Sequence, residues 1–224
     1  MTRKAKPKPK PDFRHELKLR KEGNHNILGI DEAGMSPLAG PVTAAGVIFL
    51  ENPYIKGLND SKLLSPEKRE DLYEQIINKA YKYQVISIGV NDINNLNIFN
   101  ASQKAMRTII YTLYGYYNAI LVDGNKKIKH LMPPYDLIPQ FPLVKGDQRS
   151  ISIAAASILA KVTRDRYMCK LAEKYPWYGW QQNKGYPTAM HKEAIRKYGT
   201  TEHHRVGFKG VREYIGKLYK TSRR

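Results

Sequence analysis

Two apolar, β-rich runs near the start of the chain constrain its fold most: Asn-Ile-Leu-Gly-Ile-Asp at 26–31 and Pro-Val-Thr-Ala-Ala-Gly-Val-Ile-Phe-Leu at 41–50. Each has the length and composition of a buried strand. The stretch between them is rich in Gly, Ala and Pro, which permits a tight reversal, so the two are expected to pair as antiparallel neighbours. The first run ends on Asp31-Glu32, two charges where a buried strand would simply stop.

The pattern recurs downstream. Residues 83–90 alternate and read as a third strand. Residues 118–125 read as a buried strand ending on Asp123-Gly124, and 140–147 as a short strand ending on Gly146-Asp147. Helices separate them. Ser65-Pro66-Glu67 supplies an N-cap followed by proline at the first helical position, and Leu72, Ile76 and Ala80 follow at helical spacing. The segment 97–117 carries an apolar stripe of Ala101, Ala105, Ile109 and Leu113. Residues 150–174 form the strongest helical pattern, with an Ala/Ser-rich first half suited to close packing on a sheet. Early strands followed by alternating helices and strands predict an α/β sheet of about five strands, with a helical C-terminal portion on one side.

The 224 residues suffice for one sizeable domain. The net charge is +18, with five positive charges and no acid in residues 1–11 and a net six in residues 205–224. The Lys-Pro alternation at the N-terminus neither builds a helix nor buries a face. The expected organisation is a basic disordered tail over 1–24, a folded domain over 25–208 and a basic tail over 209–224. A basic body with basic tails points to a polyanion partner, most simply nucleic acid. The longest apolar run, 44–50, is too short to span a bilayer, and the N-terminus lacks the apolar core of a secretory signal. The single cysteine, Cys169, excludes an internal disulfide and suits a reducing compartment. The expectation is a cytoplasmic protein and, with no coiled-coil pattern, a monomer.

Three predicted strands thus end in acid. In α/β proteins, sites collect where loops leave the strand ends. Carboxylates gathered there repel one another unless a divalent cation reverses the balance, and Mg²⁺ and Mn²⁺ prefer oxygen ligands. Two such ions about 4 Å apart activate a water and stabilise a leaving oxygen in phosphodiester hydrolysis. One Asp-Gly alone reads as a turn; three acidic ends in one basic chain point to a shared site. Adjacent residues on a regular strand face opposite sides, so Asp31 and Glu32 are expected to share a site only through a break in the strand, which Ala33-Gly34 supplies.

The motifs Gly-Ile-Asp-Glu-Ala-Gly (29–34), Ser-Pro-Leu-Ala-Gly-Pro-Val (36–42), Leu-Asn-Asp-Ser-Lys-Leu-Leu (58–64), Leu-Val-Asp-Gly-Asn (121–125), Val-Lys-Gly-Asp (144–147), the segment 152–168 and Asn-Lys-Gly-Tyr-Pro-Thr (183–188) resemble, in order, those of the ribonuclease HII family. The resemblance covers about residues 26–208. It implies a ribonuclease H-like fold, a mixed five-stranded sheet flanked by helices and followed by a helical C-terminal part, and metal-dependent endonuclease action on the RNA strand of RNA–DNA hybrids. It also implies incision on the 5′ side of ribonucleotides embedded in duplex DNA, leaving 3′-hydroxyl and 5′-phosphate ends. Carried over residue by residue, Asp31, Glu32, Asp123 and Asp147 are the catalytic, metal-binding acids for two Mg²⁺ or Mn²⁺ ions. Asp165 lies inside a helix between two arginines and reads as a structural ion pair. Tyr186 matches a tyrosine that stacks on the sugar or base of the junction nucleotide, and Lys62 a lysine that approaches a backbone phosphate. Lys161 and Arg164 read equally as DNA-strand contacts or as a basic helix face. His191, His203 and His204 read as surface residues and receive no role.

The chain departs from the family at one place. Gly34-Met35-Ser36 stands where the resemblance leads one to expect Gly-Arg-Gly, a loop whose backbone approaches the ribose 2′-hydroxyl and neighbouring phosphates. Either Ser36 occupies an ordinary backbone region and the loop still reads the ribose, or recognition of single ribonucleotides weakens while cleavage of longer hybrids persists. Two rival readings are a non-catalytic hybrid-binding protein and another two-metal nuclease of the same fold. No obligate protein partner is expected.

Overall fold

A computed structural model describes residues 10–59, 61 and 64–216. Five strands, β1 (Ile27–Ala33), β2 (Val42–Ile48), β3 (Lys82–Ile88), β4 (Ala119–Asp123) and β5 (Gln140–Leu143), form one sheet in the order β3-β2-β1-β4-β5. β1 and β2 make the expected antiparallel pair, with Asp31 opposite Ala45, and β3 adds antiparallel to β2. β4 joins β1 in parallel and β5 joins β4 in parallel.

The helices are α1 (Arg14–Lys21), α2 (Pro66–Lys79), α3 (Val90–Leu96), α4 (Ile98–Thr112), α5 (Ile151–Lys174), α6 (Trp180–Asn183) and α7 (Ala189–Tyr198). α4 covers one face of the sheet: its stripe of Ala101, Ala105 and Ile109, continued by Leu113, packs with Leu28, Ile30, Ile120 and Val122. Each fully buried Leu or Ile contributes about 1.5–3 kcal/mol. α2 and α5 cover the other face, where Ala154, Ala155 and Ile158 meet Ala45 and Val47. Alternation along β1 sends Leu28 and Ile30 toward α4 and leaves Gly29 toward α5. A Cβ on Gly29 would lie 2.5 Å from the Ser152 Cβ. α5 therefore runs directly on the strand backbone, which its Ala/Ser-rich first half allows. A third cluster, built on Trp180, Tyr178, Met168 and Ile195, forms the C-terminal lobe.

Several boundaries differ from the sequence reading. Residues 12–24, assigned to a disordered tail, hold α1, whose Phe13 and Leu19 are buried. The Lys-Pro bias stops at Pro11, and Phe13, Glu16 and Leu19 recur every three residues on one helical face. Residues 1–9 lie outside the described residues. At the other end Val211 is fully buried in the C-terminal cluster, so the packed body continues past residue 208. Residues 217–224 again lie outside the described residues. Val90 opens α3 rather than closing β3, and the helix expected over 97–117 ends at Thr112. Among the described residues no helix is long and apolar enough to cross a membrane.

Candidate active site

The acids gather where β4 stops. β1 stays paired with β2 through Ala33, opposite Thr43, but its pairing with β4 ends at Ile30 opposite Val122. Beyond that point the β4 side of β1 is open, and Asp31 and Glu32 both line one cleft of about 270 Å³ together with Asp123. The expected break in the strand is absent; the neighbouring strand ends instead. Asp123 closes β4, and its Oδ1 accepts the Gly146 N–H at 2.7 Å. Asp147 follows Gly146 on a 3₁₀ turn, not on a strand end, and is buried. The turn thus sets Asp147 one residue from the amide that holds Asp123. Among the described residues, Asp147 is not part of the cleft wall, and no three His, Cys, Asp or Glu side chains stand close enough to form a ready-made metal cage.

The electrostatics of the cluster are unfavourable as it stands. Burial pushes the Asp31 carboxyl well above the usual carboxylate range, and the charges of Glu32 and Asp123 push it further. The Ser157 hydroxyl of α5 and the Glu32 N–H, at 2.7 Å, hydrogen-bond to it and pull the other way. Ser61 in turn holds the Ser157 hydroxyl at 2.9 Å. An all-oxygen set of mutually repelling carboxylates suits a hard divalent cation of the Mg²⁺ or Mn²⁺ kind.

One wall of the cleft is the loop Gly34-Met35-Ser36. Gly34 adopts φ +98°, a region other residues rarely occupy. Ser36 and Met35 are outside the left-handed region, so the serine Cβ brings no backbone strain. Two fully buried arginines hold this loop from beneath. Arg205 donates to the carbonyls of Gly34 (2.7 Å), Met35 (3.3 Å), Gly40 (3.0 Å) and Pro41 (2.9 Å). Arg164 donates to those of Ala39, Pro41 and Lys184. Across a trans peptide the N–H points opposite to the C=O. With the Gly34 and Met35 carbonyls turned down to Arg205, the N–H groups of Met35 and Ser36 point away from it, on the cleft side. Burial lowers the pKa of Arg205 to about 9, with the Arg164 charge adding to the effect; neither guanidinium is matched by a carboxylate in these bonds.

Tyr186 forms the opposite rim, about one-third exposed, with the Lys161 Nζ 5.4 Å and the Arg164 guanidinium 5.7 Å from its ring centre. Its backbone is anchored by a chain of histidines. The Thr201 N–H donates to His204 Nδ1 at 3.0 Å, which leaves the proton on His204 Nε2, 3.2 Å from His191 Nε2. That nitrogen also accepts from Trp180 Nε1 at 3.0 Å, so the His191 proton sits on Nδ1 and reaches the Tyr186 carbonyl at 3.0 Å. With both imidazoles neutral, the Trp180 and His204 protons share the one lone pair of His191 Nε2. Burial pushes both pKa values down, that of His204 to about 3. Beyond Tyr186 a wider groove of about 680 Å³ shares Lys161 and Tyr186 with the cleft and is lined by Arg69, Arg166, Lys170 and Lys184. Its acids are paired: Glu70 with Arg166, Asp165 with Lys161 at 2.8 Å.

The sequence matches the family described as Ribonuclease HII over residues 28–211. The chain belongs to the ribonuclease HII family. It is 47% identical over 204 residues to Ribonuclease HII of Bacillus cereus (strain AH820), covering 91% of this chain and 77% of that protein. It is 42% identical over 205 residues to Ribonuclease HII of Ruegeria pomeroyi, covering 92% and 85%. Among solved structures it resembles ribonuclease H2 from Pyrococcus horikoshii, with a TM-score of 0.66 and 25% identity over 86% of this chain and 98% of that one. It also resembles the ribonuclease HII of an Archaeoglobus fulgidus complex with PCNA, with a TM-score of 0.69 and 25% identity over 82% and 95%. As a ribonuclease HII the chain is a hydrolase, an endoribonuclease of the type 2 ribonuclease H class, and the family acts on RNA–DNA hybrids.

Against this ribonuclease HII framework, the structure sorts the sequence-derived residues. It brings Asp31, Glu32, Asp123, the 34–36 loop and Tyr186 to one cleft. Lys62 lies outside the described residues. Lys161 reaches the cleft, but Arg164, read as a strand contact or a basic helix face, is buried under the loop. His191 and His204, read as surface residues, are fully buried. Arg205 went unnoticed because it sits in a basic stretch that looks like a tail; Ser157 was hidden in a run of small residues.

Proposed function

We propose that this ribonuclease HII incises duplex DNA on the 5′ side of an embedded ribonucleotide and cleaves the RNA strand of longer hybrids. The products carry 3′-hydroxyl and 5′-phosphate ends. The observation that carries this reading is the cluster of the buried Asp31 with Glu32 and Asp123, placed in one cleft with the 34–36 loop and Tyr186. In it Asp31, Glu32 and Asp123, joined by Asp147 from the turn beside them, would hold two Mg²⁺ or Mn²⁺ ions, which would supply an activated water and charge neutralisation at the departing 3′-oxygen. The protein's part is to place the phosphate and read the sugar. The N–H groups of Met35 and Ser36 meet the ribose or its phosphates, and the Tyr186 ring stacks on the junction nucleotide. Lys62 approaches a neighbouring phosphate. The 2′-hydroxyl is what separates RNA from DNA at such a site.

Met35 removes the cation expected at the loop, while Arg205 still fixes the backbone. The preference for single ribonucleotides is therefore shifted rather than abolished. The enzyme works in the cytoplasm as a monomer with no obligate protein partner.

The test is cleavage of a duplex carrying one ribonucleotide, with product ends mapped, beside a long hybrid and an all-DNA branched substrate. Incision 5′ of the ribonucleotide with 3′-hydroxyl ends supports the reading. Cleavage of the all-DNA substrate would assign the site to another two-metal nuclease chemistry, and binding without cleavage to a hybrid-binding protein. The M35R/S36G double variant should change the ratio of single-ribonucleotide to long-hybrid cleavage about tenfold, the worth of one charged phosphate contact. An unchanged ratio overturns the role given to the loop.

A further inference from the structure

A second basic groove is assembled from α1 with the residues just before it and from the turn that leads into α5. Lys10, Arg14, His15 and Lys18 line one wall; Gln148 and Arg149 line the other, around a hollow of about 410 Å³. The walls are remote in sequence but stitched together. Asp12 N–H donates to the Arg149 carbonyl at 3.3 Å, and Ile151 N–H to the Asp12 carbonyl at 3.1 Å. Beneath them the buried Glu16 carboxylate accepts the Ser150 hydroxyl at 2.6 Å and the Ser152 N–H at 3.0 Å. α1 is therefore clamped to the start of α5, and its cations face Arg149 across a fixed gap.

The charge in this gap is one-sided. Lys10, Arg14, Lys18 and Arg149 meet a single acid in the lining, Asp12, which is already bound to Arg14 at 2.7 Å. The Lys18 link to Glu22 is long, 3.9 Å, and exposed. Burial and then the Arg149 charge push the His15 pKa down, while Glu16 and Asp12 push the other way. Like charges held together in this way destabilise the fold unless an anion answers them. One turn links the groove to the site. Arg149 lies two residues beyond Asp147, on the turn whose Gly146 N–H holds Asp123. Arg3, Lys4, Lys6 and Lys8 lead into it along the sequence.

We propose that this groove is a phosphodiester-backbone site that grips the substrate duplex on one side of the scissile bond, a reading that rests on the proposed nuclease function. Lysine and arginine contacts to phosphate position a duplex without reading its sequence and release counterions as they form, so the affinity they add falls with salt. An open groove with exposed cations favours a polymer over a free phosphate, because the polymer's condensed counterions are what binding releases.

The test uses full-length protein and a series of hybrids with one fixed cleavage position, the duplex lengthened stepwise on either side. The variant is K10Q/K18Q, two exposed lysines with no backbone role. The control is K129Q/K197Q, which removes the same charge from other faces. KM of the native protein should fall at the length where one arm reaches the groove. K10Q/K18Q should lose that step, with KM on long hybrids raised about tenfold, and log KM should depend on log salt with a slope smaller by about one per lost contact. Its kcat and its KM on the shortest hybrids should match the native protein, and the control should keep the step. A native length profile in K10Q/K18Q overturns the proposal, as does an equal rise in KM on the shortest hybrids or in the control. If the native protein binds hybrids without cutting them, the nuclease reading fails. The same length and salt series read by fluorescence anisotropy then still decides the groove.

Discussion

The cleft is bordered by two regions built on opposite electrostatic terms. At the end of β1 and β4, burial and the charges of Glu32 and Asp123 all act against an ionised Asp31. Beneath the 34–41 loop and Tyr186, equally buried polar groups are matched donor to acceptor: two guanidiniums against backbone carbonyls, two neutral histidines in a closed chain. The first region is left wanting a cation; the second wants nothing. The contrast separates chemistry from recognition. Charge that is to act must be incompletely compensated by the protein, whereas a surface that is to read shape must be fixed before substrate arrives.

The contrast is broken or sharpened most strongly by removing one acid. D123N keeps an oxygen for the Gly146 N–H but loses a charge. Its kcat on a hybrid should drop on the order of a thousandfold, while its unfolding free energy in chelator should rise by about 1 kcal/mol as a repulsion disappears. A fall in stability would mean the cluster is not frustrated. On the other side, R205M should lower the unfolding free energy by roughly 3–5 kcal/mol, because several buried carbonyls lose their donor; urea titration reads it. A loss below about 1 kcal/mol would show that water replaces the guanidinium and that the loop is not held as described.

Acid should undo the histidine chain. His191 and His204 have folded-state pKa values pushed below the ordinary 6.5, His204 to about 3. The unfolded chain therefore binds more protons below about pH 6.5, and the stability these groups contribute is full above that pH and lost as it falls toward 3. His204 adds a slope of about 1.4 kcal/mol per pH unit in that window, and His191 acts in the same direction below pH 6.5. H204Q should flatten the profile; an unchanged slope would assign the acid lability elsewhere. The smallest effect is at the clamp on α5: E16Q should cost about 1 kcal/mol, the worth of a charge-assisted cap at a helix N-terminus, measured by thermal unfolding.

What could be read from the sequence follows from how local the determining physics is. The β1–β2 hairpin, the Ser65 cap and the α4 stripe are set by neighbours within a few residues, and all are in place: Ser65 Oγ accepts the Lys68 N–H at 3.2 Å. The gathering of Asp31, Glu32 and Asp123 was legible from three acids at strand ends, but its means was not. Whether β1 breaks or β4 stops depends on register between strands far apart in sequence. The Lys-Pro bias masked α1, because its amphipathic face is short and its partners, Ser150 and Ser152, lie more than a hundred residues away. Arg164, His191 and His204 were misjudged, and Arg205 passed over, because residues that are usually exposed were buried by backbone carbonyls and by each other, and no local pattern announces that.

α5 touches the site at three levels. Ser152 lies against Gly29, Ser157 bonds Asp31, and Arg164 reaches Pro41. The helix therefore serves as a ruler whose divisions fix how far apart those parts stand. Inserting one residue between 157 and 164 would advance its far end by about 1.5 Å and turn it by about 100°. Such a phase error would strand the guanidinium away from the loop while leaving Ser157 at its post. Along this rod the number of residues is itself a structural constraint, fixed by contacts at three separate points.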